Sequence, residues 1–167
     1  MSNGNQVDSS SCTVSAVTSQ TITPTTTNTF IIGNPNILSI SWQTQSPLTT
    51  NDIIILTLPI NYISYYNYIG TVLTYDSGNK VIQRSISTNS TQQVIYNITS
   101  LSDSYISANN IISINNLVIT CLIDISIRYI NINIIRNGYN IENGNLAITP
   151  TNNILSNISI NGDIKIV

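Results

Sequence analysis

Histidine, the side chain most often used to move protons at neutral pH, is absent from all 167 residues. Ser–His and Cys–His hydrolytic arrangements are therefore excluded, as are the usual zinc ligand sets. A glycosidase-type carboxylate pair could in principle come from Asp52, Asp76, Asp103, Asp124, Asp163 and Glu142. Their spacing favours no pair, and most stand beside Gly, Ser or Asn, where solvated turn residues belong. The expectation is a protein that is not an enzyme. The seven glycines are isolated, so no phosphate-cradling loop or dinucleotide fingerprint exists and no cofactor is expected. Asp76-Ser77-Gly78-Asn79 contains a fragment of a calcium loop but reads as a plain turn, and no metal site is expected.

Four other residue sets have chemistry to offer. Cys12 and Cys121 are the two cysteines; a disulfide is their natural reading, within one chain or between neighbouring subunits. Tyr62, Tyr65, Tyr66 and Tyr68 form the one aromatic cluster, suited to an interface or to a sugar-binding platform. Asn89, Asn97 and Asn157 head Asn-X-Ser/Thr sequons, which matter only where a glycosylation machinery exists. Lys165 and Asp124 are residue types used in Lys–Asn isopeptide crosslinks, although a lone Lys near a strand end is usually a solvated surface residue.

The elements that must position these residues are strands. Ile, Asn, Ser and Thr contribute 34, 25, 22 and 20 residues, a β-branched and turn-forming alphabet with few good helix formers. Charged residues make up 7% of the chain, with a net charge of −2, so solubility rests on neutral polar groups. A surface so poor in charge lacks the repulsion that keeps copies apart and the basic patch that nucleic acid requires. No segment approaches the length of a membrane-spanning helix, and the start Met1–Gln6 does not resemble a signal peptide. Self-association is expected; nucleic-acid binding and membrane insertion are not.

Residues 1–28 read as an N-terminal arm with a possible donor strand to about Ile22 and a hinge at Thr23–Asn28, followed by a body over 29–167. In the body, Leu38, Ile40 and Trp42 alternate with polar residues, the signature of a half-buried strand. Ile53–Leu58 is a continuous apolar run suited to a strand covered on both faces. Strands at Val72–Tyr75 and Val81–Ile86 flank the Asp76–Asn79 turn, and others are predicted at Gln93–Ile98, Ile111–Ile119 and Cys121–Ile134. In the last of these, Ile123, Ile125, Ile127 and Tyr129 share one parity and Ile130, Ile132 and Ile134 the other. That slip predicts a bulge at Tyr129–Ile130 or a strand crossing between sheets. Asn137-Gly138 and Asn143-Gly144 read as turns, and Leu146–Ile148, Asn157–Ile160 and Asp163–Val167 as closing strands. Short strands punctuated in this way predict an all-β fold, a two-sheet antiparallel β-sandwich or jelly roll with an N-terminal arm.

A polar arm carrying one cysteine, a β body carrying a second, low charge and no catalytic set together resemble the subunits of surface fibres. Endospore appendages and pili built by strand donation are similar in plan, and Leu48–Pro59 also resembles sandwich modules of large protist surface proteins. The resemblance implies a structural subunit of a self-assembling extracellular or surface fibre or coat, with copies of itself as partners at a cell or spore surface. The alternative is a carbohydrate-binding or adhesive module of a larger surface protein, with a glycan as partner.

Overall fold

The computed structural model describes residues 18–64, 70–90, 92–122 and 126–151. Twelve strands run in chain order: β1 (Gln20–Thr21), β2 (Phe30–Ile31), β3 (Pro35–Gln43), β4 (Ile53–Thr57), β5 (Tyr62–Ser64), β6 (Val72–Tyr75), β7 (Lys80–Ser90), β8 (Gln93–Ser100), β9 (Ile111–Cys121), β10 (Arg128–Arg136), β11 (Tyr139–Ile148) and β12 (Pro150–Thr151). No α-helix occurs among the described residues. The period-2 pattern does what it must: Leu38, Ile40 and Trp42 of β3 are buried, while Ile37, Ser39, Ser41 and Gln43 face outward.

Ten strands follow one hydrogen-bonded path, β1-β11-β10-β4-β8-β7-β6-β9-β3 with β5 also on β9, and β12 and β2 form a small second sheet. The path curls at β7. Lys80–Ile82 pair with β6, whereas the residues from Gln83 onward pair with β8, and the register shifts between Gln83 and Arg84. The extra residue is Thr99 of β8, and a bulge of this kind raises the local twist where β7 passes from one limb of the curl to the other. The inward rows of both limbs, including Leu38, Ile40, Leu73, Ile114, Ile54, Tyr96, Ile132 and Leu146, belong to a single apolar cluster. The all-β class is as expected. The large sheet, however, is mixed rather than antiparallel, because β1 runs parallel to β11, and the small second sheet pairs β12 parallel to β2. Its limbs are also joined through β7 rather than forming two separate sheets.

A curled sheet leaves a seam between its outermost long strands, here β11 and β3, and the chain's own N-terminal segment lies across it. Gln20 and Thr21 pair with Glu142 and Asn143, and the Ile22 N–H donates to Asn143 O at 2.8 Å. Ile22 is buried. Past Pro24 the chain reaches β3, where Thr25 and Ser41 exchange backbone hydrogen bonds of 2.8 and 3.0 Å. Residues 20–25 therefore form a strap that satisfies both edges. The Thr/Pro break expected to be a hinge is the point where the strap changes limbs. Among the described residues, the arm is paired with its own body. Gly144 makes the crossing possible, since a Cβ there would stand 2.5 Å from Ile22 O and 2.7 Å from its side chain.

Other sequence expectations change for local reasons. Asp76–Asn79 closes the β6–β7 hairpin as predicted, and Asn137-Gly138, both at positive φ (52° and 82°), closes the two-residue β10–β11 turn. Asn143-Gly144 is not a turn but lies within β11, where glycine serves the strap. Ile53–Thr57 is central in the sheet but covered on one face only, with Ile54 and Leu56 inside and Ile53 and Ile55 half-exposed. Cys121–Ile134 is not one strand: β9 ends at Cys121 and β10 begins at Arg128. The parity slip at Tyr129–Ile130 is therefore no bulge, because Tyr129 faces outward on a strand whose pairing with β11 runs unbroken from Arg128 to Ile134. The irregularities on the partners of β10 and β3 lie elsewhere: Ile141 is the extra residue on β11 opposite Ile134 and Ile135, and Asn115–Asn116 bulge in β9, where Asn116 has φ 61°.

Two predictions follow from burial. Ile127, expected on a core face, is 57% exposed, while Ile132 is fully buried between Leu56 and Gly144. Ile132→Asp should prevent folding, since an unpaired buried carboxylate costs several kcal/mol, about the stability of a domain. Ile127→Asp should shift stability by no more than about 0.5 kcal/mol; urea denaturation of both variants checks the assignment. Gly144→Val should displace the strap and cost about 1–3 kcal/mol, read as a lower melting temperature with fast hydrogen exchange at the Ile22 and Thr25 amides. Exchange at those amides matching the native protein would show that the crossing tolerates a side chain.

Candidate functional site

The direction of the strands gives the molecule two chemically different ends. At one end lie the β3–β4 loop, the Asp76–Asn79 turn, the loop before β9 and the Asn137-Gly138 turn. Asp52, Asp76, Lys80, Asp103, Arg136 and Glu142 all gather there. At the other end the chain crosses between limbs twice, after β4 and after β9. Among the described residues, Arg128 is the one charged side chain there.

The charged end is built around two buried carboxylates. Asp52 is 1% exposed and takes a bidentate grip from Arg136, Nε to Oδ1 at 2.8 Å and Nη2 to Oδ2 at 2.7 Å, while Thr49 N–H donates to Oδ2 at 2.7 Å. Arg136 Nη2 also donates to Pro47 O at 2.6 Å, and the hydrogen bond to Asp52 holds the guanidinium pKa above its usual range. Glu142 is fully buried. Its Oε1 accepts from Thr44 Oγ1 at 2.7 Å, from Gln45 N–H at 2.8 Å and from Ser46 N–H. Its Oε2 is buried with no hydrogen-bond partner. Burial pushes the Glu142 pKa above its ordinary value of 4.5, against the opposing pull of these donors and of Arg136. On the surface, Asp103 accepts from Lys80 Nζ at 2.7 Å and from Tyr75 OH at 2.9 Å, and these bonds lower its pKa and raise that of Lys80.

Of the six candidate carboxylates, the fold thus brings Asp52 and Glu142 to one loop, each committed to holding it. Asp76 and Asp103 sit on exposed loops, and Asp124 and Asp163, with Lys165, lie outside the described residues. The structural roles of Glu142 and Arg136 were not read from the sequence. The available signal was a lone Glu between Ile141 and Asn143, at a position whose neighbours alternate as strand.

At the opposite end the two crossings touch, with the Leu122 N–H donating to Asn61 O at 2.8 Å. They expose Ile60 at 75%, Leu122 at 45% and Ile127 at 57%, and Tyr129 and Ile37 stand exposed on the adjoining starts of β10 and β3. Tyr62 does not join this surface: it is fully buried opposite Cys121, so its ring is available neither to a partner nor to a sugar. Tyr65, Tyr66 and Tyr68 lie outside the described residues. The disulfide is not supported: Cys121 is buried at the end of β9, no disulfide occurs among the described residues, and Cys12 lies outside them. Asn97 is half-buried on the outer face of β8, between Ile53 and Ser85. Asn89 lies in β7, and Asn157 is outside the described residues.

Among the described residues, both outer sheet faces are free of charge. One carries the row Asn143, Asn133, Ile55, Ile95 and Ser87 across five strands, and its amides engage polar neighbours, Asn131 with the Asn145 amide and Asn143 with the Ser19 hydroxyl. The other carries Ser41, Ser113 and Thr74, beside a shallow trough lined by Thr25–Thr27, Ser39, Ser41, Ser113 and Asn115. Among the described residues no cluster of metal-ligating side chains occurs, and no helix is long and apolar enough to cross a membrane.

No protein-family model matches the sequence, and no curated protein matches it. Among solved structures the chain is similar to one described as a crystal structure of BslA, a bacterial hydrophobin. The identity is 10%, the alignment covers 78% of this chain and 98% of that one, and the TM-score is 0.43.

Proposed function

We propose that this chain is a non-catalytic structural subunit of an extracellular or surface layer, fibre or coat, and that it packs against copies of itself. The observation that carries the reading is the contrast between the ends. Aliphatic side chains project where the two crossings meet, while six ionisable residues are gathered at the far end. Exposed apolar surface marks an association site, and neutral outer faces add no long-range repulsion between copies. The buried carboxylates support the non-catalytic part, since Asp52 is gripped by Arg136 and Glu142 Oε1 is taken up by donors of the β3–β4 loop. A second reading, a module that binds neutral glycans, draws on the trough along β3, where Ser39, Ser113 and Asn115 present uncharged groups.

Electron microscopy and sedimentation of the purified chain should show concentration-dependent assemblies. Ile60→Lys combined with Ile127→Lys should leave the melting temperature within a few degrees of native, because both side chains are exposed. The same pair should abolish assembly by placing like charges on the contact. A native chain that stays monomeric at all accessible concentrations, or assembly indifferent to the double substitution, would refute the reading. Calorimetric titration with neutral oligosaccharides tests the second reading.

A further inference from the structure

We infer that Glu142 is a pH-sensitive latch on the seam of the curled sheet. Glu142 lies on β11, one side of the seam, and its Oε1 takes three donors from Thr44, Gln45 and Ser46, which directly follow β3 on the other side. The strap lies alongside: Gln20 pairs with Glu142 itself, and Ile22 crosses Gly144 two residues further on. One carboxylate thus ties the limbs from within at the point where the strap ties them from the edge.

The second oxygen makes this tie responsive. Oε2 is buried with no partner, so ionisation places uncompensated charge density inside the seam. The charged groups near it are few. Arg136, on β10, favours the ionised form but is committed to Asp52 and Pro47 O. Asp52, in the β3–β4 loop, is neutralised by that grip, and the described residues of β1 and β3 carry no charge.

The sign follows from linkage. Burial raises the folded-state pKa of Glu142 above its ordinary 4.5, so the folded seam favours the protonated acid. Its contribution is fully present below the ordinary value and is lost as pH rises through the folded value. Across that window, opening of the seam rises about tenfold for each unit by which the pKa is elevated. Opening uncovers the edges of β11 and β3, templates on which a second copy can add a strand. That last consequence rests on the self-packing reading; the latch does not.

Glutamate occurs once in this chain, so carboxyl-labelled glutamate gives a single NMR resonance. Its midpoint should lie above 4.5, and hydrogen exchange at the Ile22 and Thr25 amides, corrected for intrinsic rates, should accelerate through the same midpoint. Glu142→Gln keeps an acceptor for the three donors and should make that opening independent of pH. A midpoint at or below the ordinary value, or the same exchange profile in Glu142→Gln, overturns the latch. Should Glu142→Gln not fold, Thr44→Val removes one donor from Oε1 and should move both the midpoint and the opening upward; an unmoved midpoint overturns the latch as well. Sedimentation at the same pH values reads self-association separately, so a working latch in a chain that stays monomeric would count against self-packing alone.

Discussion

Closure of the seam is the constraint on which the rest of this structure depends. A single sheet that curls over its own core gains a shared apolar interior but leaves two outer strands with unpaired N–H and C=O groups. Those groups must find partners, or they recruit them from another chain. Here the partners come from residues 20–25 at the edge, from Glu142 on the inside, and from the parallel β2–β12 pair further along. Each device dictates a local residue choice. Gly144 has no Cβ because Ile22 O occupies that space. Asn143 holds the strap through Ser19 Oγ at 2.8 Å. Thr44 presents its hydroxyl inward because β11 brings a carboxylate to it.

Once the edges are occupied, the self-packing we propose has only faces and ends to use. The placement of charge is consistent with that. A chain with 7% charged residues has little charge to distribute, and most of the described share goes to one end, where Asp52 and Arg136 fasten the β3–β4 loop. The outer rows keep neutral amides and hydroxyls, partly satisfied among themselves. The crossings at the other end expose Ile60 and Ile127, which the interior cannot accommodate because the chain must pass over the end of the core to change limbs. Under that proposal, association through this end would rely on apolar contact and depend weakly on salt.

The sequence exposed the elements more clearly than their connections. Alternation in Leu38–Gln43, Gln93–Ile98 and Ile111–Ile119 marks strands because period 2 is enforced wherever one face is buried. The turns at Asp76–Asn79 and Asn137-Gly138 are equally plain, since positive φ demands those residue types. Asn143-Gly144 has the same composition and is no turn, because a glycine required by close approach of another segment looks the same in sequence as one required by a turn. The run Cys121–Ile134 misleads for a related reason: Ile127, on a crossing at the end of the core, continues the alternation of a strand without being in one. Tyr62, grouped by sequence with the following tyrosines, is separated from any surface by its pairing opposite Cys121. None of the seam's long-range partners leaves a local pattern, since Thr44 and Glu142 meet only through the curl.

The identity of residue 142 narrows what the seam is for. The loop after β3 demands an acceptor there, because two backbone N–H groups and a hydroxyl converge on one oxygen; an apolar side chain would leave them unsatisfied in the interior. A glutamine carbonyl meets that demand equally well and buries no charge. This chain uses Gln seven times and Glu once, so amide-rich composition alone would place Gln at such a site. The difference between the two side chains here is confined to Oε2, the atom for which the fold supplies no donor. Three-point acceptance at Oε1 accounts for the position being polar. The unpartnered oxygen opposite is the feature a purely structural role leaves unexplained, and titration is the property that distinguishes it from an amide.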